Sequence, residues 1–244
     1  MNFDRTRYEL KLMGKRVILT PILVMVGFAL FAALIYYLHT DPARFLSAGL
    51  EMILPLMAGV VVSTITSQDP AIEIQLTVPK KYHLTVMRRL LLIAGWAALV
   101  ALLSSSVLAT VGLGFTPEHI PSLAAPLQFI TGQLTWLAPL LWFVALGLCL
   151  APLIRSRAAT AALLSGIWII ETIWKDYFAY YDWLHPVFLF PTTTLPLVGP
   201  LPQVYYTLWL SNRFELIGTA LVLLPIGWLL LHNPEGLLKG SSEE

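Results

Sequence analysis

The chain has 244 residues, of which 57% are hydrophobic and only 12% charged, with a formal net charge of +1. Soluble domains carry about 25% charged residues, so half that share leaves too little polar surface for a water-soluble fold. The mean hydropathy of +0.76 agrees, and at roughly 20 apolar residues per crossing the length holds about six membrane spans and no separate soluble catalytic domain.

The first segment, 3–17, carries Arg5, Arg7, Lys11, Lys15 and Arg16 against Asp4 and Glu9. No small-residue cleavage site follows the apolar run after it, so a removable signal peptide is not expected. On a helix, Phe3, Leu10, Met13 and Val17 share a stripe and most basic residues lie off it. That pattern predicts an amphipathic helix lying in the membrane interface; a plain basic flank that only sets orientation is the alternative.

Six apolar stretches follow, at about 18–38, 45–65, 90–111, 127–150, 158–174 and 214–231. They lack period-2 alternation, and lipid admits only helices or closed barrels, so the fold class is all-α and polytopic. With the N-terminus inside, twelve basic residues fall on the cytoplasmic side and three (Arg44, Lys175 and Arg213) on the outer side. This positive-inside asymmetry predicts a multi-pass protein of the cell membrane with both termini cytoplasmic.

Two connections stand out. The loop 66–89 opens with Asp69-Pro70, a helix start, and Pro79 stops the helix that follows. The result is a short cytoplasmic helix presenting Ile72, Glu73 and Leu76, followed by Lys80 and Arg88 at the entry to the third span. An ordinary loop whose basic residues only hold orientation is the competing reading. The segment 177–212 is apolar and aromatic, but Pro186, Pro191, Pro196, Pro200 and Pro202 interrupt it. Short half-helices dipping into the outer leaflet, with tyrosines and tryptophans at headgroup level, fit it better than a seventh span. The tail 241–244 is expected to be disordered.

Glu73-x-x-Leu76-x-x-Pro79 followed by a basic run and Arg88-Arg89 resembles the permease subunits of type-2 ATP-binding-cassette (ABC) exporters. So do Tyr8-Glu9-Leu10, the broken outer segment, Asn212-Arg213 opening the last span, and the ending Asn233-Pro234-Glu235-Gly236-Leu237-Leu238. The resemblance implies that Asp69, Ile72, Glu73, Leu76, Pro79, Lys80 and Arg88 form the coupling element that docks on an ATPase. It further implies two ATPase subunits holding ATP and Mg, and a second permease copy or relative. The chain itself lacks the phosphate loop G-x-x-x-x-G-K-[ST], so hydrolysis falls to another polypeptide and this chain needs neither cofactor nor nucleic acid.

Within the spans, ionisable groups are expensive and mark functional candidates; Glu51 and Glu171 are the candidates that lie beyond the first turn of a stretch. Glu51 either binds a cationic group, pairs with an outer-side arginine, gates an exit, or rests on the helix dipole. Glu171 stands i,i+4 from Lys175, the favourable order for an ion pair. Ser105 and Gln133 sit among polar residues that either bond helices together or line a wet pathway.

Three function classes compete: a transporter subunit, an intramembrane enzyme, and a redox or haem-carrying anchor. His39, His83, His119, His185 and His232 lie outside the span centres, and no H-E-x-x-H occurs. Cys149 is the single cysteine, which excludes an intrachain disulfide and a metal site built mainly on thiolates. The transporter reading is retained, with a hydrophobic or amphipathic cargo such as a lipid, drug or lipopeptide.

Overall fold

The computed structural model describes residues 14–39, 41–67, 82–110, 125–194 and 203–231. The interfacial helix up to residue 13, the coupling residues Asp69, Ile72, Glu73, Leu76, Pro79 and Lys80, and the tail lie outside them. The described residues are helical, without strands. Helix α1 is Lys15–Tyr37. Helix α2 runs Ala43–Ala48, widens to a π-turn at Gly49–Ile53 and continues as Leu54–Ser67. Then come α3 (Tyr82–Thr110), α4 (Ala125–Ile154), α5 (Arg157–Ile173), α6 (Lys175–Tyr180), a 3-10 turn (Asp182–Val187), α7 (Pro191–Thr194) and α8 (Gln203–Leu230).

Five of these helices (α1, α2, α3, α4 and α8) are long and apolar enough to cross a membrane. Helix α5 has 17 residues, which at 1.5 Å per residue is about 25 Å, a little short of the hydrocarbon core. Most expected boundaries are shifted outward. Hydropathy marks only the lipid-wetted middle of a helix, whereas backbone hydrogen bonding carries the helix on into polar flanks. Helix α1 begins at Lys15, just after Gly14 at φ 78°, so the last residues assigned to the interfacial helix 3–17 belong to the spanning helix. The largest shift is in α8, which begins at Gln203 directly after Pro202, about three turns before the expected start at 214. Gln203–Asn212, assigned to the broken segment, are therefore its first turns.

Helix α4 occupies the centre of the bundle. Phe143, Ala145 and Leu148 are fully buried on it, and α2 and α8 pack along it on two sides. The α2–α4 contact depends on two glycines. A Cβ on Gly147 would stand 2.5 Å from the Gly59 carbonyl oxygen, and one on Gly59 would stand 2.7 Å from that of Phe143. Small residues let membrane helices approach this closely, which maximises dispersion and brings backbones together. Helix α1 is peripheral, turning Leu23, Leu30 and Phe31 outward, as a lipid-facing helix does.

Side-chain contacts give the helix directions. Arg155, in the left-handed region at φ 59°, and Ser156, whose Oγ accepts the Ala159 N–H at 3.4 Å, turn the chain from α4 straight back into α5. The His83 ring meets Trp228 at 5.5 Å, bringing the start of α3 to the end of α8. At the opposite end lie the beginnings of α2 and α8, the end of α5, and the run 182–194, where the functional candidates converge.

Candidate functional site

Glu51 sits on α2 inside the π-turn, four residues before Pro55. Proline has no N–H for the carbonyl one turn back, and the helix widens just ahead of it. Bulges of this kind re-aim side chains and recur at functional sites. Here the re-aimed side chain is a carboxylate with no solvent exposure.

That carboxylate gathers four donors. Arg213 Nη2 of α8 pairs with Oε1. The Thr192 N–H donates to Oε1 at 3.0 Å, and the Thr193 N–H and hydroxyl donate to Oε2 at 2.6 and 2.5 Å. Glu51 thus anchors the first amide groups of α7, whose leading Pro191 has no N–H to satisfy. Of the readings open from the sequence, pairing with an arginine is the one seen.

Arg213 was assigned to the outer segment, but it is fully buried. Its Nη1 donates to the Leu189 carbonyl at 3.0 Å and its Nη2 also to Thr192 Oγ1 at 2.7 Å. Its guanidinium carbon stands 5.4 Å from the centroid of the Trp209 ring, within cation–π range. The Trp209 indole N–H donates to the same Thr192 oxygen at 2.9 Å. A planar fork with five donors suits a guanidinium to such a multi-acceptor position.

Glu171, near the end of α5, is also buried and accepts the Leu189 N–H at 2.8 Å. The sequence offered Lys175 as its partner; the fold adds a hydrogen bond from the backbone of the run. Asn212 Nδ2 donates to the carbonyls of His185 (2.6 Å) and Phe188 (3.0 Å), and Arg44 Nε donates to that of Thr193 (3.1 Å). Side chains of α2, α5 and α8 therefore bond much of the backbone of the broken run from His185 to Thr193, the requirement for interrupted chain away from water. Arg213 Nε and Asn212 Oδ1 have no hydrogen-bond partner among the described residues. A cavity of about 60 Å³ lies between the run and α8, lined by His185, Phe188, Pro191, Trp209 and Asn212 among others.

Ser105 and Gln133 belong to a separate network. Ser105 Oγ of α3 lies 2.8 Å from Gln133 Oε1 of α4, and Trp136 Nε1 donates to that same oxygen at 2.8 Å. Their polar atoms are bonded across two packed helices. Arg88 lies half-buried in the second turn of α3. Among the described residues no group of three or more His, Cys, Asp and Glu is placed to hold a metal.

Sequence reasoning found Glu51 and Glu171, named Asn212-Arg213 only as the opening of the last span and offered an unspecified outer-side arginine for Glu51, and did not single out Thr192, Thr193 or Trp209 as site residues. A signal existed for Arg213: it follows a tryptophan by four residues and leads directly into an apolar run. Once helix α8 is started after Pro202, the arginine falls inside it. No protein-family model, curated protein or solved structure matches the chain.

Proposed function

We propose that the chain is the membrane permease subunit of an ATP-driven exporter of the type-2 ABC class, working with two separate ATPase subunits and a second permease. In this reading α5 crosses the membrane with the five longer helices, giving six spans and cytoplasmic termini. The single observation that carries it is the arrangement of the helix ends. The described basic residues Lys15, Arg88, Arg89, Arg155 and Arg157 and the helix ends that flank the 66–89 connection lie at one end of the bundle, and the broken run held by Glu51, Glu171 and Arg213 lies at the other. With Arg213 taken out of the outer count of Arg44, Lys175 and Arg213, two basic residues remain outside against twelve inside, which sharpens the charge asymmetry.

The mechanism follows from connectivity. ATP closes the paired ATPases against the 66–89 segment, which joins α2 and α3 directly, so both helices receive the displacement. The cargo pathway lies where the two permeases meet, and the outer run closes its exit. The apolar character of the chain favours a hydrophobic or amphipathic cargo.

Two experiments test this reading. Single cysteines at Ser122 and Lys80 should react with an impermeant thiol reagent from opposite faces of the membrane; reaction from the same face would refute six spans. Glu73→Ala with Leu76→Ala should leave the permease folded but weaken its recovery with the ATPase, or uncouple ATP hydrolysis from cargo. Unchanged recovery together with unchanged coupling would refute the coupling assignment.

A further inference from the structure

We infer that the run from Asp182 to Thr194 is a releasable latch, held shut by side chains of three spanning helices and freed when α2 turns and withdraws Glu51. That the latch closes a transport exit rests on the function proposed above; that it opens does not.

The first observation is the way the run is held. The amides of Leu189, Thr192 and Thr193 and the carbonyls of His185, Phe188, Leu189 and Thr193 are all bonded to side chains of α2, α5 or α8. Such bonds cannot survive relative movement of those helices, whereas a helix that satisfies its own backbone could ride along unchanged. Three of the four donors that converge on Glu51 come from α7, so moving one side chain frees the amides of both Thr192 and Thr193.

The position of Glu51 on its helix fits such movement. It stands in the π-turn at Gly49–Ile53, a bulge that interrupts the regular winding of α2 and recurs at functional sites. Its helix, α2, ends at Ser67, where the 66–89 connection begins. A push on that connection therefore reaches Glu51 through one helix.

Two further features fit a hold that is made and broken. Arg213 Nε and Asn212 Oδ1 are buried without partners among the described residues, so the closed set of hydrogen bonds is incomplete. The cavity between the run and α8 gives His185, Phe188 and Pro191 space to move into. Against opening stand the buried Leu189 and Phe190 and the Phe143–Phe190 stack at 6.1 Å, which reseat the run when the polar bonds re-form. Charged side chains bonded to the latch from the spanning helices are Glu51 and Arg44 of α2, Glu171 of α5 and Arg213 of α8.

The test loosens the run without touching the buried Glu51–Arg213 pair. In full-length chain carrying Cys149→Ser and Leu189→Cys, in membranes opened so that both faces meet the reagent, the rate of maleimide reaction at position 189 reports opening. Adding Thr192→Val and Thr193→Val removes the hydroxyls that bridge Glu51, Arg213 and Trp209 while keeping side-chain shape. The expected result is about a tenfold faster reaction at 189, with no change at Leu140→Cys, a buried site on α4. An unchanged rate at 189 would show a static run, and an equal rise at 140 would show general loosening; either overturns the latch. Neither readout depends on an ATPase partner, so failure of the latch and failure of the transporter reading are separately visible.

Discussion

Arg213→Met is expected to be the most damaging single substitution in the described part of the chain, destabilising the fold by about 3–5 kcal/mol. Removing the guanidinium leaves Glu51 as a buried carboxylate without its counter-charge, and strips the Leu189 carbonyl and Thr192 Oγ1 of a donor. It also abolishes the contact with the Trp209 face. The check is thermal unfolding in detergent or nanodiscs, followed by tryptophan fluorescence. Glu51→Gln combined with Arg213→Met should recover part of the loss, because a neutral amide is cheaper to bury than an unpaired carboxylate. Arg44→Ala is the control. Arg44 also bonds the run, but it is exposed, and its loss should cost no more than about 1 kcal/mol. Equal effects of the Arg44 and Arg213 substitutions would show that the buried ion pair contributes nothing special.

Gly147→Leu is expected to be nearly as severe, for a steric reason. The new Cβ would lie 2.5 Å from the Gly59 carbonyl oxygen, and the obstacle is backbone rather than a side chain that can rotate away. Helices α2 and α4 must separate, at a cost at or above the usual overpacking range of about 1–3 kcal/mol. Gly59→Ala should show a smaller version of the same effect, since its Cβ meets the Phe143 carbonyl at 2.7 Å. Gly95→Ala and Gly218→Ala are the opposite case. Nothing lies within 4 Å of either added methyl, so both should be neutral or stabilising by up to about 1 kcal/mol through helix propensity. Size-exclusion profiles and melting curves of the four variants distinguish a tight α2–α4 seam from an ordinary contact. Because α2 also carries Glu51 and leads into the 66–89 connection, loosening this seam should disturb the outer run as well.

The two large effects differ in how visible they were beforehand. Glu51 stood out in the sequence because a carboxylate in an apolar stretch is rare and costly. Arg213 did not, because it follows Ser211-Asn212 and a stretch broken by prolines, which placed it at the edge of the outer segment. Only the packing of α8 against the run shows that Trp209, Asn212 and Arg213 are covered by protein. Gly59 and Gly147 were equally silent. Glycine is common in membrane helices, and nothing in its spacing tells which one faces a neighbouring backbone. For Glu171 the sequence offered a local partner four residues away, and the fold adds the Leu189 amide eighteen residues away.

By itself the sequence determined the features that depend on local composition. The lengths of the apolar stretches dictated helices of membrane-crossing size, the distribution of lysine and arginine pointed to an orientation, and the prolines between 186 and 202 broke the last connection into short pieces. Each follows from chemistry a residue carries with it, whatever its neighbours in space: transfer of side chains out of water, or the missing proline N–H. The tertiary structure alone decided how the broken connection is satisfied. Exposed backbone groups away from water must find partners, but which side chains supply them depends on how helices distant in sequence are rotated against one another. The pairing of Glu51 with Arg213 spans 162 positions, and no local pattern encodes it. It exists because α2, α5 and α8 present two carboxylates, a guanidinium and an amide to one short broken run, so that three of the chain's few charges stand buried where that run needs them.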